Sequence, residues 1–95
     1  MAAYLVVDIE VTDPVRFEEY KKLAPVAIGK YGGRYLIRGG AYETIEGDWK
    51  PQRLTMVEFE SMDKAKAFYA SPEYRRAIQA RAGAAKMNML LVQGV

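Results

Sequence analysis

At Thr12-Asp13-Pro14 the spacing of apolar residues changes from every second position to every third or fourth. No other feature limits so strongly what this chain can fold into. Before the junction, Tyr4 to Val11 (YLVVDIEV) alternate, with Leu5, Val7, Ile9 and Val11 on one side and Tyr4, Val6, Asp8 and Glu10 on the other. That is the pattern of a strand with one buried face. After it, Phe17, Tyr20, Ala24, Ala27, Ile28 and Tyr31 recur at helical spacing. The junction chemistry agrees. Asp13 can accept from the free N–H groups of a first turn, and Pro14 suits the first helical position, where its missing donor leaves nothing unpaired. Glu18 can pair with Lys22 one turn on. Pro25 cannot donate to the carbonyl of Lys21, so the helix is expected to kink or restart there before Gly32-Gly33 ends it.

The same reasoning carries through the rest of the chain. Arg34 to Arg38 (RYLIR) reads as a second strand, Gly39-Gly40 as a bulge within it, and Ala41 to Glu46 as its continuation. Gly47-Asp48-Trp49-Lys50 reads as a hairpin tip, from which Arg53 to Phe59 returns as the third strand. Ser61 caps a helix expected to turn Ala65, Phe68 and Tyr69 inward, and Ser71-Pro72-Glu73 starts another that runs to about Arg81. Gly83 breaks it, and Met87 to Val92 (MNMLLV) forms a last strand apolar enough to expect burial on both sides. The order β-α-β-β-α-β implies an α+β, ferredoxin-like arrangement with a four-stranded antiparallel sheet and the helices on one face. With no linker, repeat or low-complexity segment, residues 1–95 read as a single domain.

Composition narrows the function classes. The chain has no cysteine and no histidine, which removes disulfides, thiolate nucleophiles, Ser-His-Asp chemistry, zinc sites and His-ligated haem. No metal or cofactor is expected. A net charge of +2 is too balanced for a committed nucleic-acid binder, and Arg75, Arg76, Arg81 and Lys86 read as the solvated face of the last helix. The glycines form no phosphate-binding loop, since Gly32-Gly33 follows a helix and precedes a strand. No signal peptide or membrane span is visible, so no membrane partner is expected and cytoplasmic residence is the default expectation. Hydrophobic residues make up 51% of the sequence. Helices can cover only one sheet face, and the other would carry Tyr4, Val6, Leu36, Leu54, Met56 and alternate residues of Met87 to Val92. A second copy meeting it face to face, as a homodimer, is the simplest cover.

Two groups of side chains could carry chemistry. Counting back from a hairpin tip at Gly47 to Lys50 with one bulged residue sets Arg38 opposite Glu58, and Asp8 on the first strand lies nearby. Asp8, Arg38 and Glu58 would then anchor a small acid or carbonyl compound, supply a carboxylate base, or act as a structural pair that fixes strand register. Tyr20, Tyr69 and Tyr74 with Trp49 read either as core aromatics or as the lining of an apolar ligand pocket.

The strings Asp8-Ile9-Glu10-Val11-Thr12-Asp13-Pro14, Tyr31-Gly32-Gly33-Arg34-Tyr35 and Arg38-Gly39-Gly40 resemble the family called domain of unknown function 1330. Glu46-Gly47-Asp48-Trp49, Glu58-Phe59 and Ser71-Pro72-Glu73-Tyr74 extend the likeness over essentially the whole chain. The resemblance implies a dimeric α/β barrel, in which two ferredoxin-like sheets close against each other. Its superfamily includes cofactor-free oxygenases, muconolactone-isomerase-like enzymes and haem-degrading enzymes, which work between helices and sheet. Three functions stay open: a barrel that binds a small organic molecule, a cofactor-independent oxygenase or isomerase using Arg38 and a carboxylate, and a structural or regulatory dimer without ligand.

Overall fold

The alternation in residues 4–11 becomes β1 (Ala3–Val11) in the computed structural model, which describes residues 1–95. There follow α1 (Pro14–Lys30), β2 (Arg34–Arg38), β3 (Leu54–Phe59), α2 (Met62–Ala70), α3 (Pro72–Arg81) and β4 (Ala85–Gln93). The strands form one four-stranded sheet in the order β2-β3-β1-β4, every neighbouring pair antiparallel. This is the expected ferredoxin-like α+β fold. No helix is long and apolar enough to cross a membrane.

The caps fall where their chemistry places them. The Asp13 carboxylate accepts from Arg16 N at 3.1 Å, and Ser61 Oγ accepts from Lys64 N at 3.1 Å. Ser71 serves two helices at once: its Oγ donates to the Phe68 carbonyl at 2.6 Å and accepts from Tyr74 N at 3.1 Å. Pro14 and Pro72 occupy first helical positions.

The helices cover the sheet face made by Leu5, Val7, Ile9, Val57 and Phe59, all buried. Phe17, Ala24, Ala27 and Ile28 of α1, Ala65 and Phe68 of α2 and Tyr74 and Ala77 of α3 complete the core. A run of aromatic contacts crosses it, with ring centroids 5.2 Å apart for Phe59–Phe68, 4.5 Å for Phe68–Tyr74 and 6.2 Å for Tyr20–Tyr74. Such pairs add about 0.5–1.5 kcal/mol each beyond their burial. Lys30 and Tyr31, at the end of α1, both reach Glu73 and tie that end to the start of α3. At Gly33 a Cβ would stand 2.7 Å from the Phe59 ring and 2.8 Å from Ile28, so only glycine lets the chain leave α1 this close to the core.

Four expectations are corrected. α1 does not restart at Pro25; it runs on as one element to Lys30. One missing backbone bond is offset by burial of Ala24, Ala27 and Ile28 on either side of it. β2 does not continue through Ala41 to Glu46, for Gly39, at φ +67°, turns the chain away after Arg38. The Gly39 N–H makes the last bond to the Leu54 carbonyl, at 2.8 Å. Residues 39–53 instead form an irregular loop, held by Tyr42 OH donating to the Pro51 carbonyl at 2.7 Å and Thr44 Oγ1 donating to the Trp49 carbonyl at 2.9 Å. The bulge lies earlier, between Tyr35 and Ile37. Finally, β4 is buried on one side only, and Leu90 on its other side is 66% exposed.

Candidate functional site

The bulge in β2 decides what the space between helices and sheet contains. Without it, Tyr35 and Arg38, three residues apart, would point to opposite faces. With it, Tyr35 stands opposite Val57 and Arg38 opposite Thr55, and both turn toward the helices. They join Tyr20 and Lys21 of α1, Tyr74 of α3, Thr55 of β3 and Arg53, just before β3, around an otherwise apolar cleft. Leu5, Val7, Ile9, Phe17 and Phe68 form its floor and walls. Its free volume is about 50 Å³, room for a few water molecules. Lys21 and Arg38 are exposed while Tyr74 is fully buried, so the cations mark the mouth and the tyrosines the deep end.

At the deep end the Tyr20 and Tyr74 hydroxyls are 2.8 Å apart and hydrogen-bonded, and either can donate. Burial pushes the Tyr20 phenol well above its ordinary range, and the neighbouring Tyr74 adds to this. Burial likewise raises Tyr35, while Arg38 and Arg53 pull it back. The Arg38 guanidinium lies 4.5 Å from the Tyr35 ring centroid, a cation–π contact that steadies it at the mouth. No Asp, Glu, Asn or Gln lines the cleft. Chemically it offers hydroxyl donors inside, apolar walls between and positive charge outside. It has no carboxylate to act as base.

Of the residues singled out in the sequence, Tyr20, Arg38 and Tyr74 meet here. The others do not. Asp8 is on the open sheet face, where its Oδ1 accepts from Gln52 N at 2.9 Å and Arg53 N at 3.5 Å, pinning the end of the 39–53 loop. Glu58 is on that same face, paired with Arg34: Nε donates to Oε1 at 2.7 Å, and Arg34 is its register partner. The expected Arg38–Glu58 pair is therefore absent, and the Asp8–Arg38–Glu58 cluster with it. The hairpin count assumed that residues 39–53 close as paired strands on a tip at Gly47 to Lys50. They form an irregular loop instead, so Arg38 stands opposite Thr55, three residues along β3 from Glu58 and on the other face. Trp49 is 61% exposed over the open sheet face, beside Val6, Leu54 and Leu90. Tyr69 is turned outward under the Arg75 guanidinium, in a groove between α2 and β4 with Lys66 and Met87. Tyr35, Arg53 and Lys21 escaped the sequence reading. Tyr35 takes its face from its pairing with Val57, which the hairpin count did not place, and Arg53 and Lys21 look like ordinary surface cations.

Over residues 2–95 the chain matches the family described as "Domain of unknown function (DUF1330)". No curated protein matches it in sequence. Among solved structures it is similar to a protein of unknown function from Rhodopseudomonas palustris, at TM-score 0.77 and 14% identity over 99% of this chain and 82% of that one. It is also similar to a dimeric ferredoxin-like protein of unknown function from Jannaschia sp. CCS1, at TM-score 0.71 and 12% identity over 99% and 100% of the two chains. A third is SnoaB, a cofactor-independent oxygenase from Streptomyces nogalater, at TM-score 0.69 and 14% identity over 99% and 93%. At these identities the likeness establishes the fold alone.

Proposed function

The chain belongs to the DUF1330 family, and from that starting point we propose that it is a homodimer binding a small organic acid in the cleft between helices and sheet. The observation that carries the ligand reading is the composition of the cleft lining. Two arginines without an ion-pair partner (Arg38 and Arg53) stand at its mouth, beside Lys21, which pairs with Glu18 at 3.2 Å. No acidic side chain is among the lining residues above the apolar interior. An arginine presents a planar fork of donors that matches a carboxylate. The homodimer reading rests on the uncovered sheet face, where Val6, Met56, Leu90 and Val92 lie together, and on the dimeric neighbour of the same fold. An oxygenase or isomerase that moves a proton with a carboxylate finds less support, since Asp8 and Glu58 lie on the face away from the cleft.

The test is a thermal-shift and calorimetric screen of short carboxylic acids against amines of matched size. Acids should raise Tm and amines should not; an acid at ~100 times its Kd adds about 2.7 kcal/mol to the folded state. Replacing Arg38 and Arg53 together by Met should remove the shift while leaving the fold intact. If no carboxylic acid shifts the wild type at millimolar concentration, the ligand reading fails.

A further inference from the structure

The deep end of the cleft specifies more than the charge at its mouth. Tyr20 and Tyr74 share one hydrogen bond, which uses one of their two hydroxyl protons. The second has no acceptor in the protein, and the Tyr35 hydroxyl, further toward Arg38, bonds to nothing in the protein. The lining supplies no carboxylate or amide oxygen, and Thr55 is its one remaining side-chain hydroxyl. None of these hydroxyls is a buried group without a partner, so solvent reaches the Tyr35 hydroxyl, and a ligand oxygen that enters the cleft can take the place of water there. The cleft therefore holds surplus O–H donors inside and surplus cations outside, and a ligand that satisfies both must carry an uncharged oxygen acceptor at one end and a carboxylate at the other.

We infer that the cleft selects an oxo acid, with the carbonyl oxygen accepting from the Tyr20–Tyr74 hydroxyl pair and the carboxylate held by Arg38 and Arg53. Tyr20 and Tyr74 are then specificity-determining residues that distinguish an oxo acid from the plain acid of the same chain. Burial favours the neutral form of Tyr20 and Tyr35, so both remain donors at neutral pH. A free volume of about 50 Å³ suits a short acyl chain, the carboxylate remaining at the exposed mouth. This inference rests on the acid-binding reading above, and it can fail while that reading stands.

The experiment compares 4-oxopentanoate with pentanoate, which differ only in a ketone carbonyl in place of one methylene, on the full chain by calorimetry. The wild type should bind 4-oxopentanoate about tenfold more tightly, the worth of one well-made hydrogen bond. The Tyr20→Phe/Tyr74→Phe double variant should bind both acids equally. A second readout does not depend on the variant folding. The stretching frequency of a ¹³C-labelled carbonyl in 4-oxopentanoate should fall on binding to the wild type, as it does when a carbonyl accepts a strong hydrogen bond. If pentanoate binds as well as 4-oxopentanoate and the carbonyl frequency does not move, the oxo-acid inference is overturned and acid binding survives. If neither acid binds, both are overturned.

Discussion

Tyr20 combines three constraints on one side chain. Its hydroxyl meets Tyr74, its ring stacks on Phe17 with centroids 5.1 Å apart, and the Arg81 guanidinium lies 5.7 Å from its ring centroid. Arg81 Nε is buried without a hydrogen-bond partner, and its contact with the Tyr20 ring is the compensation available to it. Because burial raises the Tyr20 phenol in the fold, the unfolded chain releases this proton first, near the ordinary value of 10.0. Below pH 10 the stability contributed by the neutral phenol is fully present. As pH rises beyond 10 toward the raised folded value, the unfolded form gains by ionising and that stability is lost. Tyr20→Phe has no such proton. Its stability should therefore fall less steeply between pH 10 and 11.5 than that of the wild type, as followed by urea unfolding at each pH. Parallel curves would mean that Tyr20 ionises as freely in the fold as in the unfolded chain.

Ser71 is where two elements depend on one hydroxyl. It closes α2 and starts α3, and through its bond to Tyr74 N it sets the first turn from which Tyr74 enters the cleft. Ser71→Ala removes both side-chain bonds at a buried position, and loss of such a cap costs about 0.5–2 kcal/mol. For a domain near this size that corresponds to a fall in Tm of roughly 4–8 °C per kcal/mol. The near-UV circular dichroism from the Tyr74 environment should change with it. An unchanged Tm would show that the α2–α3 joint is held by packing alone. Helix starts of this kind were legible, since Asp13-Pro14, Ser61 and Ser71-Pro72 announce themselves by residue type. The course of β2 was not, because Gly39-Gly40 is equally compatible with a bulge and with an end. Only the pairing with β3 distinguishes the two.

At the scale of the whole molecule the sheet has two unlike faces. One is covered by three helices; the other presents Val6, Met56, Leu90 and Val92, with Trp49 alongside. A second copy placed on this face should bury more than about 1,000 Å², the area that a specific interface needs. Light scattering should give a dimer mass at micromolar concentration for the wild type. Leu90→Glu, at a position 66% exposed in the single chain, should shift it to a monomer with an unchanged far-UV spectrum. A wild-type monomer would instead leave the apolar face without its proposed occupant.

The chain's period of apolar residues, its caps and its helix breakers were enough to determine the order of elements, the buried side of β1 and β3, and the presence of a second apolar face. These depend on neighbours in sequence and on the two-residue and 3.6-residue periods, which local residues set. Which side chains share the cleft was a tertiary outcome. Tyr20 and Tyr74 are 54 residues apart and meet because α1 packs on α3. Arg38 joins them because a single bulged residue shifts the parity of β2 against β3, while Glu58 goes to Arg34 because β2 enters the sheet with those two residues opposite each other. In a strand of period two, one extra residue sends every later side chain to the other face, and the energy that places it lies in the pairing with β3 rather than in β2's own residues.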